Sequence, residues 1–122
     1  MSTLATVLTV LVALLHVWFM VLEMALWTRP LGLKTFRMSP EKAETTRVLA
    51  ANQGLYNGFL AAGLLWGALW LHDWRVIAFF LACVIVAGIF GALTVSRRIL
   101  WIQALPAALA LVCLAVSLAR AF

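Results

Sequence analysis

Glu23, His16, Asn52, Gln53, Asn57 and Gln103 are the side chains best equipped for acid–base or hydrogen-bond chemistry, and each lies inside an apolar run. An ionisable group at membrane depth costs about 2.5–3.5 kcal/mol even on the lenient insertion scale, so it faces a partner or a water-filled cavity. A carboxylate shielded from bulk water suits proton transfer to or from a bound molecule. His16 precedes Glu23 by seven residues, two helical turns away on nearly the same face. An imidazole there serves either as a hydrogen-bonded core residue or as a proton-exchanging group.

Depth can be counted at about 1.5 Å per helical residue. On that scale Glu23 lies about 6 Å inside the cytoplasmic end of the first run. Asn52 and Gln53 lie at nearly the same level on the second run, Thr94 near the end of the third, and Gln103 on the fourth. Arg47, Arg97 and Arg98 sit about a turn above them. His16, Tyr56 and Asn57 make a thinner, deeper layer, with Gln53 and Asn57 stacked at the i, i+4 spacing. If these faces converge, the helices enclose a polar cleft open to the cytoplasm. Glu23 and His16 are then the candidate catalytic residues. Arg47, Asn52, Gln53, Tyr56, Asn57, Thr94, Arg97, Arg98 and Gln103 are the candidate ligand-binding set. The competing reading makes the amides and Thr94 interhelical glue worth roughly 0.6 to 2 kcal/mol each, with Glu23 salt-bridged to Arg98 or Arg47.

Four long apolar stretches must position these groups. With 66% hydrophobic residues in 122 and a mean hydropathy of +1.11, the chain is far more apolar than a soluble domain, at about 45–50%. A membrane-spanning helix needs about 20 apolar residues, so four spans use nearly the whole chain. The expected fold is all-α: an integral membrane four-helix bundle forming one domain over 1–122, with spans over 4–27, 48–71, 76–95 and 99–119. The first run lacks the basic start of a signal peptide and is too long for its short apolar core, so it is expected to be retained.

Thr28 to Gly32 read as a stop for the first span, since proline cannot continue a helix. Ser39-Pro40-Glu41-Lys42 reads as a helix start, with serine as N-cap and proline at the first helical position. His72 to Arg75 and Ser96 to Arg98 read as short turns, and Pro106 as a kink inside the fourth span. Gly54 with Gly58, Gly63 with Gly67, Ala87 with Gly91 and Gly88 with Ala92 are spaced for close helix packing, within the bundle or between subunits.

The net charge of +5 reads as topology, because the basic residues sit at the ends of apolar runs and form no phosphate-tracking stripe. No nucleic-acid partner is expected. The Arg29–Arg47 connector and the Arg97-Arg98 turn place seven Lys/Arg on one side, against Arg75 and Arg120 on the other. The positive-inside rule puts the richer side in the cytoplasm and both termini outside, in the bacterial inner membrane. Cys83 and Cys113 read as small packing residues. His16 and Glu23 fall short of a zinc ligand set. No metal is expected, and the cofactor is unknown: neither a haem attachment motif nor a phosphate, dinucleotide or hydrolase motif appears.

The segments from Arg47 to Gly63 (RVLAANQGLYNGFLAAG) and from Gly91 to Leu100 (GALTVSRRIL), with His16 and Glu23, resemble a family of small bacterial membrane proteins known only as a domain of unknown function, number thirteen-oh-four. The resemblance covers nearly the whole chain and implies a four-helix inner-membrane protein. The run Arg47-Val48-x-x-Ala51-Asn52-Gln53 is also similar to the membrane-associated eicosanoid and glutathione metabolism family. That resemblance implies trimers with an outside N-terminus and ligand sites in the cytosolic half of the bilayer. It would give Arg47 and Asn52 a role in holding an anionic ligand and Arg98 that of an activating arginine. The chain departs from that family where Tyr56 and Asn57 replace its acidic residue, and in lacking its later Tyr-Pro pair.

The reading that joins these features is a homo-oligomeric inner-membrane protein that binds, and in an enzyme version transforms, a small amphipathic or lipid-like ligand in the cytoplasm-facing cleft. Its partners are membrane lipid and that ligand. The alternatives are a small proton-coupled transporter or channel-like oligomer using Glu23 and His16, and a non-catalytic assembly partner acting through the basic connector. Below His16 and Asn57 the spans are apolar, which disfavours a conducting path.

Overall fold

Continuous apolar sequence leaves the backbone only itself as a hydrogen-bond partner, and helices satisfy every peptide group within one segment. The computed structural model describes residues 1–122 and contains helices and no strands. They are α1 (Thr3–Met24), α2 (Pro30–Phe36), α3 (Pro40–Leu65), α4 (Trp74–Thr94) and α5 (Leu105–Ala121). α3 runs on as a π-helical segment, Trp66–Leu71, and a second π-helical segment, Leu100–Ala104, leads into α5. Four helices are long and apolar enough to cross a membrane: Thr3–Met24, Pro40–Leu71, Trp74–Thr94 and Leu100–Ala121. Large apolar side chains such as Leu93, Trp70 and Phe90 lie exposed on them. Such a surface suits lipid, whereas soluble monomers rarely expose large apolar patches.

The chain divides into two compact units, Met1–Leu14 with Leu60–Phe122, and Leu15–Phe59. In the first, four helical segments share one core. Ala5, Val12 and Ala13 come from α1, Leu64 and Ala68 from α3 and its π-helical end, Ile77, Leu81 and Val84 from α4, and Ala107, Ala110 and Leu114 from α5. The unit is thus a four-helix bundle of small and branched side chains. Its backbones approach closely at Gly88, where an added Cβ would stand 2.7 Å from the Ala104 nitrogen. At Gly63 the same atom would meet the Phe80 ring at 2.4 Å. Cys83 and Cys113 are free and half-buried.

The second unit holds the last turns of α1, all of α2 and the first part of α3. Ser39 caps α3 as its type predicts: its Oγ accepts the Lys42 N–H at 3.2 Å, and Pro40 opens the helix. The region after α1 differs from expectation. α1 ends at Met24, three residues before the expected stop, and Pro30 begins a helix instead of blocking one. Proline at the first helical position gives up only an N–H that had no intrahelical partner. Gly32 lets α2 fold back, since a Cβ there would stand 2.0 Å from the Leu26 carbonyl oxygen. α2 ends on Arg37 in the left-handed conformation (φ 53°), its N–H bonded to the Leu33 carbonyl.

The turn between α3 and α4 is shorter than expected, because only His72 and Asp73 lie outside helix. His72 takes the left-handed conformation (φ 50°). Asp73 caps α4, accepting the Arg75 N–H at 2.9 Å and the Arg75 guanidinium at 3.1 Å on both oxygens. The Pro106 kink takes the form of the π-helical segment just before it, with Pro106 then inside the first turn of α5. Proline clashes with the carbonyl four residues back, and the wider π-helical turn relieves that crowding.

Two measurements test this packing. Gly88→Val should destabilise the purified protein by about 1–3 kcal/mol through overpacking, seen as a lower midpoint of unfolding in detergent, while Ala87→Val on the exposed neighbour leaves it unchanged. The Arg75 side chain and backbone hold the Asp73 carboxyl below its ordinary value of 3.8. A lowered folded value means that the contribution is present above about pH 4 and fades as pH falls through the folded value. Asp73→Asn should therefore lower the unfolding midpoint at neutral pH and converge with the parent in acid. A gap that persists or widens in acid would refute that origin.

Candidate functional site

α1 buries a polar group every seven residues: Thr9, His16 and Glu23 are its buried polar side chains. Seven residues are close to two helical turns, so the three share a face. Thr9 turns its hydroxyl onto its own helix, donating to the Ala5 carbonyl at 2.8 Å. His16 is fully buried, engaged, and set edge-on against Phe19 with ring centres 5.2 Å apart. Glu23 lies in the last turn of α1, 7% exposed.

In the second unit Glu23 meets α3. Its Oε1 accepts a hydrogen bond from Asn57 Nδ2 at 2.5 Å. Glycines bracket that contact. A Cβ on Gly54 would stand 2.7 Å from Met24 Cγ and 3.0 Å from Glu23 Cβ, and one on Gly58 would stand 2.7 Å from Met20 Sδ. Gly54, Asn57 and Gly58 follow the i, i+3, i+4 rule for one helix face, and this face lies against α1. The bare backbone at both glycines brings α3 close enough for the short Asn57 amide to reach the carboxylate. In the same unit, Trp27 donates its indole N–H to Thr46 Oγ1 at 3.1 Å and packs on Phe36 with ring centres 4.7 Å apart.

The other candidates are placed differently. Asn52 and Gln53 are exposed on α3, as is Tyr56, whose ring meets Phe59 edge-on at 5.9 Å. Arg47 is exposed and pairs with Glu44 at 3.3 Å within its own helix, so its charge is not directed at Glu23. Thr94, Arg97, Arg98 and Gln103 belong to the first unit. There Thr94 donates its hydroxyl to the Phe90 carbonyl at 2.7 Å. Arg97 in the turn and Arg98 at the start of the helical stretch after it are exposed, and Gln103 is half-buried and engaged in the π-helical segment.

The structure thus joins Glu23 to Asn57, which the depth count assigns to the deeper layer. The count takes Trp27 and Val48 as matching membrane edges, but α1 stops at Met24 and its register against α3 is set by glycine contacts. The signal was in the sequence: Asn57 lies between glycines at packing spacing. The indole–hydroxyl bond of Trp27 and Thr46 carried no comparable signal.

The carboxylate–amide pair and its flanking glycines fall within the part of the chain covered by a protein-family model. The model described as "Protein of unknown function (DUF1304)" matches residues 10–115. A protein of Lactococcus lactis subsp. lactis (strain IL1403), "Uncharacterized protein YpaA", is 30% identical over 115 residues, covering 92% of this chain and 97% of its own length. No solved structure matches significantly. Glu23, Asn57 and both packing glycines therefore lie within a near-full-length match, and the chain belongs to the DUF1304 family.

Proposed function

We propose that this protein is an inner-membrane protein with both termini outside, which binds a small amphipathic ligand on the second unit with Glu23 as the group that engages it. The observation that carries the reading is the company Glu23 keeps. A carboxylate in a membrane-spanning helix that served structure alone would be met by a cation, because an unpaired charge there is costly. Here the partner is the neutral amide of Asn57, and Arg47, the cation of α3 closest to it in sequence, is held by Glu44. The carboxylate therefore takes its compensating charge from a proton or from the polar head of a bound molecule. Either role fits acid–base or ligand-binding work better than packing.

The exposed part of α3 supports the rest. Asn52, Gln53 and Tyr56 offer amide and hydroxyl groups beside long apolar side chains such as Val48 and Leu49, a surface suited to an amphipathic molecule or to a second copy of the chain. The helix over Pro40–Leu71 has 32 residues, about 48 Å of rise against a hydrocarbon core of about 30 Å. Its polar first turns therefore project into the headgroups, where a ligand would enter. The excess of basic residues on the α1–α3 connector and the Arg97-Arg98 turn supports a cytoplasmic position for that end.

Two experiments test the reading. Small molecules extracted from protein purified in mild detergent should include a stoichiometric amphipathic species by mass spectrometry. Glu23→Gln keeps an oxygen to accept from Asn57 but removes the charge, and should lower that content about tenfold or more, since hydrogen bonds to charged groups contribute about 1.5–3 kcal/mol. No such species, or equal content in the variant, ends the proposal. For topology, in a background with Cys83 and Cys113 replaced by serine, Phe122→Cys should react with an impermeant maleimide on intact cells while Lys34→Cys reacts only after lysis. The opposite pattern would invert the orientation.

A further inference from the structure

The first unit carries a groove of about 260 Å³ whose lining is wholly apolar. It is lined by Ile85 and Ile89 of α4, Leu100, Trp101 and Ala104 of the second π-helical segment, and Leu105 and Ala108 of α5. Leu100, Ala104 and Ala108 recur at the i, i+4 spacing, so the lining follows one face of that helical stretch. α4 approaches Ala104 closely at Gly88, which brings the two sets of lining residues together. One water occupies about 30 Å³ of liquid, so the groove accommodates a segment of hydrocarbon chain.

Charge precedes the groove in the chain. Arg97 and Arg98 lie three and two residues before Leu100, about one turn before Trp101, and both are exposed. No Asp or Glu occurs after Asp73 in the chain. The ion pairs of the structure join Arg47 to Glu44 and Arg75 to Asp73, leaving the Arg97 and Arg98 guanidinium groups without a carboxylate. Trp101 is 64% exposed beside them, and indole rings prefer the level of lipid headgroups. A guanidinium binds phosphate through paired N–H donors. Two such groups at one end of an apolar trough, at an indole-marked interface, match a phosphate joined to an acyl chain.

We infer that this groove is a binding site for an anionic phospholipid, with one acyl chain along Ala104 and Ala108 and the phosphate against Arg97 and Arg98. The site is independent of the Glu23–Asn57 pair and of the orientation of the chain in the membrane.

The test uses the full-length protein in detergent, titrated with phosphatidylglycerol and with phosphatidylcholine of the same acyl chains, bound lipid being counted by native mass spectrometry. Phosphatidylglycerol should bind at least tenfold more tightly. A basic residue at an anionic surface contributes about fivefold in affinity, so Arg97→Gln with Arg98→Gln should cost about 25-fold for phosphatidylglycerol and little for phosphatidylcholine. The charge-matched control, Lys34→Gln with Arg37→Gln, should change neither. Ala108→Phe fills the trough and should weaken both lipids while keeping the preference between them. The surface arginine pair keeps the test decisive should that core-side change impair folding. Equal binding of the two lipids by the parent protein, or the same loss from the Lys34/Arg37 control as from the Arg97/Arg98 pair, overturns the site.

Discussion

Close approach of helix backbones is the constraint on which the rest of this structure depends. Lipid tails are as apolar as leucine, so burying one leucine against another gains little inside a membrane, and helices associate through dense packing and interhelical hydrogen bonds. The chain meets that requirement with glycine. Gly54 and Gly58 admit α1 onto α3, Gly88 admits the segment before α5 onto α4, and Gly63 and Gly67 receive Phe80 and Ile77. At most of these contacts a single added carbon would stand within 3 Å of a neighbour. The core between them consists mainly of Ala, Val, Ile and Leu.

The polar chemistry depends on the same contacts. Asparagine has a short side chain, and Asn57 reaches Glu23 only because the glycines on either side of it remove the bulk that would hold the helices apart. The packing motif therefore determines which amide meets the carboxylate. Asn52 and Gln53, about one turn earlier, remain exposed. Arg47 is a further turn away and satisfied within its own helix.

The two π-helical segments mark where regular helix meets a local difficulty. One precedes the left-handed His72 and closes α3 into a two-residue turn; the other precedes Pro106. Each extra residue in a turn re-aims the side chains that follow. In the second case it sets Leu100, Trp101 and Ala104 around the α4 groove. The charged turn before that groove and the apolar trough after it are thus joined by one irregular stretch of backbone.

Much of the architecture was legible in the residues alone. Apolar run lengths determine four spans because each must cross a fixed hydrocarbon thickness. Ser39-Pro40 determines the start of α3 through capping, and basic clustering marks the connector and the second turn. The helix of α2 was hidden because Pro30 reads equally as a stop or as a first helical residue, and only the room made by Gly32 beside Leu26 decides between them. The partner of Glu23 was legible only as a helix face, from the glycines around Asn57, and its level was not. Counting residues along each helix measures position within that helix, whereas the level at which two helices meet is set by where their surfaces interlock. Composition and spacing thus determined the membrane class, the helices and the set of polar groups. The tertiary structure decided which of those groups touch, because register between helices is a property of packed surfaces and is carried by no single segment.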